Sequence, residues 1–462
     1  MNSPFEFPGY LQAFVRGGCK SHVGIMLSTG TKVDWNQPGS AGITSYIGAI
    51  SAALLQTKNK RQAGEMTSET AKIVPKVRDT RIDVFRALAL LTIFINHVPG
   101  TIYEHFTHKN LGFSDSAEAF VLISGMAVAL AYGGKFAPGN RLVLTLKMWR
   151  RACVLYTAHI MTTLATIGIF AAAAIFLKHR ELLTQINIGP LVKQPVEALL
   201  GLVTLGHQLG YNNILSMYAV MLLMTPLLLV LARLSLPLML GVSGTVWLLS
   251  GLYGVAPVNY PTGGVWFLNP LSWQFLFAIG IAGTIHVRRG GKLPAHPAMI
   301  ATAVGFLVLS LAWVRIPLWG IDTSMGLPAV LTGFDKTFLS APRLLHVLAM
   351  AYLIAVVPTL NSIARTAPDN PLAILGKHSL PVFIAGTLLA MVAQVMKLIN
   401  PGGLPYDTLL IATGVVMQFA LAYYLEWLPT IGWGKKPVAK PVASEGPKVP
   451  VSSNPKPALQ RG

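Results

Sequence analysis

Charged side chains are scarce in this chain. Asp, Glu, Lys and Arg make up 11% of its 462 residues, against about 25% in soluble domains. That shortfall, with 53% hydrophobic residues and a mean hydropathy of +0.56, excludes an ordinary soluble chain and makes lipid the main solvent. Acidic residues are scarcer still, 17 against 36 Lys and Arg, which leaves a net charge of +19. The excess lies between apolar segments, where positive charge sets topology. It does not form the basic soluble face that a nucleic-acid partner requires, so no nucleic acid is expected. The only cysteines are Cys19 and Cys153, which excludes a disulfide framework and a cysteine-based metal site. No bound metal or cofactor is expected. The first residues also lack a charged segment followed by an apolar core and a small-residue cleavage site, so no signal peptide is expected.

What is abundant is apolar runs, and the 43 Gly and 31 Pro are compatible with them, since membrane helices tolerate both. A spanning helix needs about 20 mainly apolar residues. Ten candidates meet this: 84–103, 116–133, 153–177, 212–234, 236–254, 266–286, 297–314, 343–363, 378–398 and 407–428. The basic segment 142–152 lengthens the third at its inner end, whereas 195–208 is too short to span. The expected fold is therefore all-α and polytopic, with about ten transmembrane helices. Residues 1–80 read as a disordered N-terminal extension, with Met66 an alternative start; 81–430 form the membrane domain; 431–462 form a disordered tail rich in Lys and Pro. Placing both termini in the cytoplasm puts Lys135, Arg141, Lys147, Arg150, Arg151, Arg233, Arg288, Arg289, Lys292, Arg365 and Lys377 on the inner side. The outer loops 255–265 and 399–406 then carry no Lys or Arg.

Ionisable groups inside a bilayer are costly, so each is a candidate for function. The first span, RIDVFRALALLTIFINH, holds Asp83, Arg86 and His97. Arg86 and His97 are 11 residues apart, close to three helical turns, so they share a face with an axial offset of about 16 Å. Asp83 precedes Arg86 by one turn and can pair with it; both also suit an interfacial anchor whose side chains snorkel to the headgroups. His97 lies too deep for that. In GFSDSAEAFVLISG, Asp115 and Glu118 have the spacing of a capping pair, and Glu118 sits at a depth where its carboxylate can orient His97. Ser124 and Gly125 are small enough for close helix packing. Arg150 and Arg151 suit either positive-inside topology or a phosphate site. His108, in the first outer loop, is a second candidate base, and His159 reads as a core polar residue.

Three resemblances follow from these residues. Arg86 and His97, with ten residues between them, are similar to the Arg-x10-His signature of the acyltransferase-3 superfamily. Arg150 and Arg151 sit where that superfamily carries an inner arginine motif, although the Arg-x-x-Arg spacing is met here only by Lys147 with Arg150. The stretches RIDVFRALALLTIFINHVPG, NLGFSDSAEAFVLISG, NPLSWQFLFAIG and LGKHSLPVF resemble the OpgC family more closely, over most of 78–430. That family modifies osmoregulated periplasmic glucans with succinyl groups. A fainter similarity is to lysosomal heparan-sulfate acetyltransferase, in which a loop His precedes an acidic group by the spacing of His108 and Glu118.

The resemblance implies a multi-pass enzyme of the bacterial inner membrane that moves an acyl group from a thioester such as acyl-CoA to a glucan hydroxyl. His97 would be the base, with His108 the alternative, and Glu118 would orient it. Arg86 with Arg150 and Arg151 would hold donor phosphates, with Asp83 and Asp115 at the binding site. The expected partners are the acyl donor, the glucan acceptor and the bilayer. Alternatives are an O-acetyltransferase of another surface polysaccharide and a transporter of a small anion or lipid-linked sugar.

Overall fold

Proline and capping residues set most of the helix boundaries. The computed structural model describes residues 79–431, apart from positions 317 and 323. The expectations for the N-terminal extension, for Met66, for Cys19 and for the tail fall outside these residues. Among the described residues ten principal helices follow one another, with no strand. They are α1 Arg81–Asn96, α2 Ser116–Val128, α3 Arg141–Phe176, α4 Asn213–Leu234, α5 Leu236–Tyr253, α6 Pro270–Arg288, α7 Pro297–Arg315, α8 Ala341–Val356, α9 Ser379–Ile399 and α10 Leu404–Trp427. Eight of the ten are long and apolar enough to cross a membrane, with α2 counted through its continuation to Gly133. The fold is an all-α polytopic membrane protein.

Two spans are shorter than expected. The helix of α1 stops at Asn96 with His97 as its C-cap, not at 103, because Pro99 drives the residue before it out of helical geometry. The eighth span ends at Val356, and a short separate helix Pro358–Ile363 follows; Pro358 has no N–H to continue the ladder. The third span is lengthened at its inner end as expected, since the basic segment and the apolar run form one helix of 36 residues. The stretch around 195–208 forms a nine-residue helix, Pro195–Val203, too short to cross. Elsewhere starts are capped: Asn269 accepts from the Leu271 N–H at 3.1 Å ahead of Pro270 in α6.

Consecutive helices alternate in direction, so the bundle has two polar ends. Arg233 donates to the Gly133 and Gly134 carbonyls, and Arg288 to that of Leu130, at the end where α1 begins. At the other end Arg315 donates to the His105 carbonyl and Gln394 to that of His97. The most buried helices are α2, α4 and α6, and α7 is peripheral, with only Ala303 and Ser310 buried. Helices α2 and α6 approach closely through two glycines. A Cβ on Gly125 would lie 2.2 Å from the Phe277 carbonyl oxygen, and one on Gly280 would lie 2.3 Å from that of Leu122. The packing reading of Gly125 rests on this contact. Large apolar side chains such as Phe176, Leu227 and Val416 face outward, as a helix bundle in hydrocarbon requires.

Candidate active site

The chain turns sharply after α1 and brings His97 beside the starts of α2 and α4. Gln394 of α9 donates to the His97 carbonyl at 2.6 Å. The imidazole stacks on Tyr211, with ring centroids 4.2 Å apart and planes inclined by 13°. Tyr211 is fixed in turn from α3: His159 Nδ1 donates to the neighbouring Asn212 carbonyl at 3.0 Å, and the Asn212 amide donates to Thr166 Oγ1 at 3.2 Å. His159, read as a core polar residue, thus holds the turn that carries the stacking ring. His97 Nδ1 is buried and has no hydrogen-bond partner among the described residues.

Beside His97 lies a cavity of about 180 Å³, lined also by Asn96, Lys109, Asp115, Tyr211 and Lys336. Its remaining wall is largely apolar and includes Ile93, Ile214, Phe267 and Leu268. Two carboxylates and two cations make up the adjoining charge cluster. Asp115 caps α2 by accepting from the Ala117 N–H at 2.8 Å, and its other oxygen accepts from Lys336 Nζ. Arg343 Nη2 lies 3.6 Å from that same oxygen. Burial works against the Asp115 charge, yet Lys336 and Arg343 outweigh it and hold the carboxyl well below its ordinary range.

No hydrogen bond joins Glu118 to His97 among the described residues, and the partners of its carboxylate lie elsewhere. One Glu118 oxygen accepts from the Asp115 N–H at 2.9 Å, completing the capping box. The other accepts from Arg343 Nε and Nη2 at 2.8 and 2.5 Å. The carboxylate is fully buried and the Arg343 side chain is 13% exposed. Glu118 therefore anchors α2 to α8.

His108 stands in a separate arrangement. Ser114 Oγ lies 2.7 Å from His346 Nδ1 and 3.3 Å from His108 Nε2, and the two imidazoles have centroids 5.8 Å apart. Gly112 leaves room for this, since a Cβ there would fall 1.9 Å from His346 Nε2. Burial pushes the His108 pKa below the ordinary imidazole value, and the Arg343 charge lowers it further against the opposing effect of Asp115.

The remaining expected residues lie at the opposite end of the bundle. Arg86 Nη1 is 3.3 Å from Asp83 Oδ1 and 3.5 Å from the Gly376 carbonyl oxygen, so the one-turn pair forms. Arg86 and Arg151 both lie near enough to the buried Tyr218 to act on it electrostatically. Arg150 is exposed and lines a separate apolar groove between α3 and α9, apart from the Arg86 group. The residues of the site thus divide into His97, His108, Asp115 and Glu118 at one end and Asp83, Arg86 and Arg151 at the other. Sequence reasoning missed Tyr211, Lys336, Arg343 and His346. Arg343 and His346 had a readable signal, because both are ionisable residues at the edge of an apolar span. No group of three or more His, Cys, Asp or Glu able to hold a metal occurs among the described residues.

A bundle of apolar helices with a small cavity of ionisable groups at one end and a half-buried arginine at the other defines a polytopic membrane protein with an internal polar site. Residues 78–430 match the family described as OpgC protein, and the chain belongs to the OpgC family. No curated protein matches it. Family membership suggests a membrane acyltransferase acting on periplasmic glucans.

Proposed function

We propose that this protein transfers a succinyl group from a thioester donor, succinyl-CoA, to hydroxyls of a periplasmic glucan, with His97 as general base. The observation that carries the reading, beside family membership, is His97 itself: an imidazole at a cavity wall, held by stacking, with no hydrogen bond to either ring nitrogen among the described residues. A neutral imidazole has one N–H and one lone pair. When neither nitrogen is engaged by a carboxylate or carbonyl, the lone pair is available to an incoming hydroxyl.

In this reading the hydroxyl gives its proton to His97 as its oxygen attacks the thioester carbonyl. A C–O bond forms, the C–S bond breaks, and the imidazolium returns the proton to the leaving thiolate. Burial, joined by the ammonium groups of Lys336 and Lys109 against the opposing Asp115 carboxylate, disfavours positive charge on His97, which favours that return. Arg86, with Arg151, receives donor phosphates at the other end of the bundle, taken as cytoplasmic. The offset of about 16 Å along α1 lets a long donor present its thioester near His97 while its phosphates stay at the opposite end. The acceptor enters from the periplasmic end, and the membrane is the bacterial inner membrane.

Mass spectrometry of periplasmic glucans from cells with and without the gene tests the reading. Loss of succinyl adducts, about 100 Da each by the chemistry of ester formation, is the expected result. Unchanged glucans would refute the glucan assignment. A second reading, with His108 as base, is favoured by its contact with Ser114 and the adjoining His346. A His108 variant that abolishes succinylation while a His97 variant retains it would establish that reading instead.

A further inference from the structure

The cavity beside His97 is built for more than a hydroxyl and a thioester. Two ammonium groups from separate segments line it, Lys109 from the turn after α1 and Lys336 from the loop before α8. Each is tethered from one side. Glu104 holds Lys109 at 2.6 Å, and Asp115 holds Lys336, whose ammonium also sits 5.5 Å from the centroid of the Phe267 ring. A lysine carries three N–H donors, so the one carboxylate partner that each has among the described residues fixes the ammonium while leaving donors to offer. Ile93, Phe267 and Leu268 supply apolar wall in the same cavity. A volume of about 180 Å³ is below the roughly 300–1,000 Å³ of pockets that hold drug-sized ligands. A short group fits and a fatty chain does not.

We infer that Lys336, supported by Lys109, is the receptor for a carboxylate at the far end of the acyl group, and so the residue by which the site selects short diacid acyl groups over uncharged ones. This rests on the acyl-transfer reading above. The methylenes of such a group lie along the apolar wall, its carbonyl faces His97, and its terminal carboxylate takes the donors that Asp115 and Glu104 leave. An uncharged acyl group of equal length offers these ammonium groups no acceptor and displaces their water. Sites built to bond a polar group reject analogues lacking it far more strongly than apolar pockets reject a changed methylene.

The test uses the full chain, purified in detergent, with succinyl-CoA and butyryl-CoA as alternative donors and a glucan oligosaccharide as acceptor. The readout is the ratio of kcat/KM for the two donors. Wild-type protein is expected to favour succinyl by about 100-fold or more. Lys336→Met is expected to lower that ratio by about 10- to 100-fold, the worth of one charge-assisted hydrogen bond. Its effect is expected mainly in the KM for succinyl-CoA, with butyryl transfer reduced much less. Lys336→Arg is expected to restore most of the ratio, which guards against a fold defect, and Lys109→Met to lower it by a smaller factor. Equal losses with both donors in Lys336→Met would overturn the inference and assign Lys336 to the reacting carbonyl or to the fold. An unchanged ratio would overturn it too. Wild-type protein that transfers neither group would overturn the acyl-transfer reading and this inference with it, a result separable from the first two.

Discussion

Replacing Glu118 by Gln separates a structural carboxylate from one that tunes His97. In the wild-type protein one fully buried carboxylate accepts three hydrogen bonds, from the Asp115 N–H and from two nitrogens of Arg343. Gln keeps an oxygen for the Asp115 N–H but turns an amide toward the guanidinium. Two charge-assisted bonds are lost, each worth about 1.5–3 kcal/mol. Among the described residues Arg343 keeps the longer contact to Asp115 at 3.6 Å. The expected destabilisation is about 3–5 kcal/mol, the usual cost of removing one partner of a buried ion pair. Thermal unfolding in detergent should show a midpoint lowered by roughly 5 °C or more. In the double variant Glu118→Gln, Arg343→Met, the two effects should fall short of additivity by about 1–3 kcal/mol. Below its lowered midpoint the single variant should keep the acid limb of the wild-type pH–rate profile, because Glu118 does not bond to the imidazole. Unchanged stability together with a displaced acid limb would refute this reasoning and restore Glu118 as the partner of His97.

Two further outcomes follow from the site. Tyr211→Leu removes the ring that holds the imidazole, and kcat should fall about tenfold or more with little change in KM, whereas Tyr211→Phe keeps the stack and should retain most activity; equal loss in both would assign the role to the hydroxyl. The folded-state pKa of Asp115 is depressed, so its contribution to stability is complete above the unfolded value of about 3.9 and is lost as pH falls through the lower folded value. The gap in unfolding midpoint between wild type and Asp115→Asn should therefore be constant from pH 8 to about 5 and narrow only at lower pH, and a gap that closes between pH 7 and 5 would contradict the pairing with Lys336.

The helices were legible because lipid imposes a severe rule: each span must satisfy its own backbone, and its length is set by the bilayer. Local punctuation explains where the boundaries moved, since Pro99 and Pro358 end α1 and α8 earlier than hydropathy alone indicates. The Asp83–Arg86 pair and the Asp115–Glu118 box were legible for a similar reason, as both are fixed by helical spacing. Partners distant in sequence were not. Arg343 lies 225 residues from Glu118 and Lys336 lies 221 from Asp115, so no periodicity connects them. A depth argument placed Glu118 near His97 but carried no information about which neighbour its side chain would reach. Lys336 stands in a loop, where a charge needs no special reason, and Tyr211 gives no sign, because stacking on an imidazole has no spacing signature.

The most direct test of the central claim is acyl transfer by the purified protein in detergent, with succinyl-CoA as donor and a glucan oligosaccharide as acceptor, comparing wild type with His97→Ala and His108→Ala. The account predicts a loss of about 10²–10⁴-fold in kcat for His97→Ala at an unchanged unfolding midpoint, with a much smaller loss for His108→Ala. Near-normal transfer by His97→Ala would contradict it.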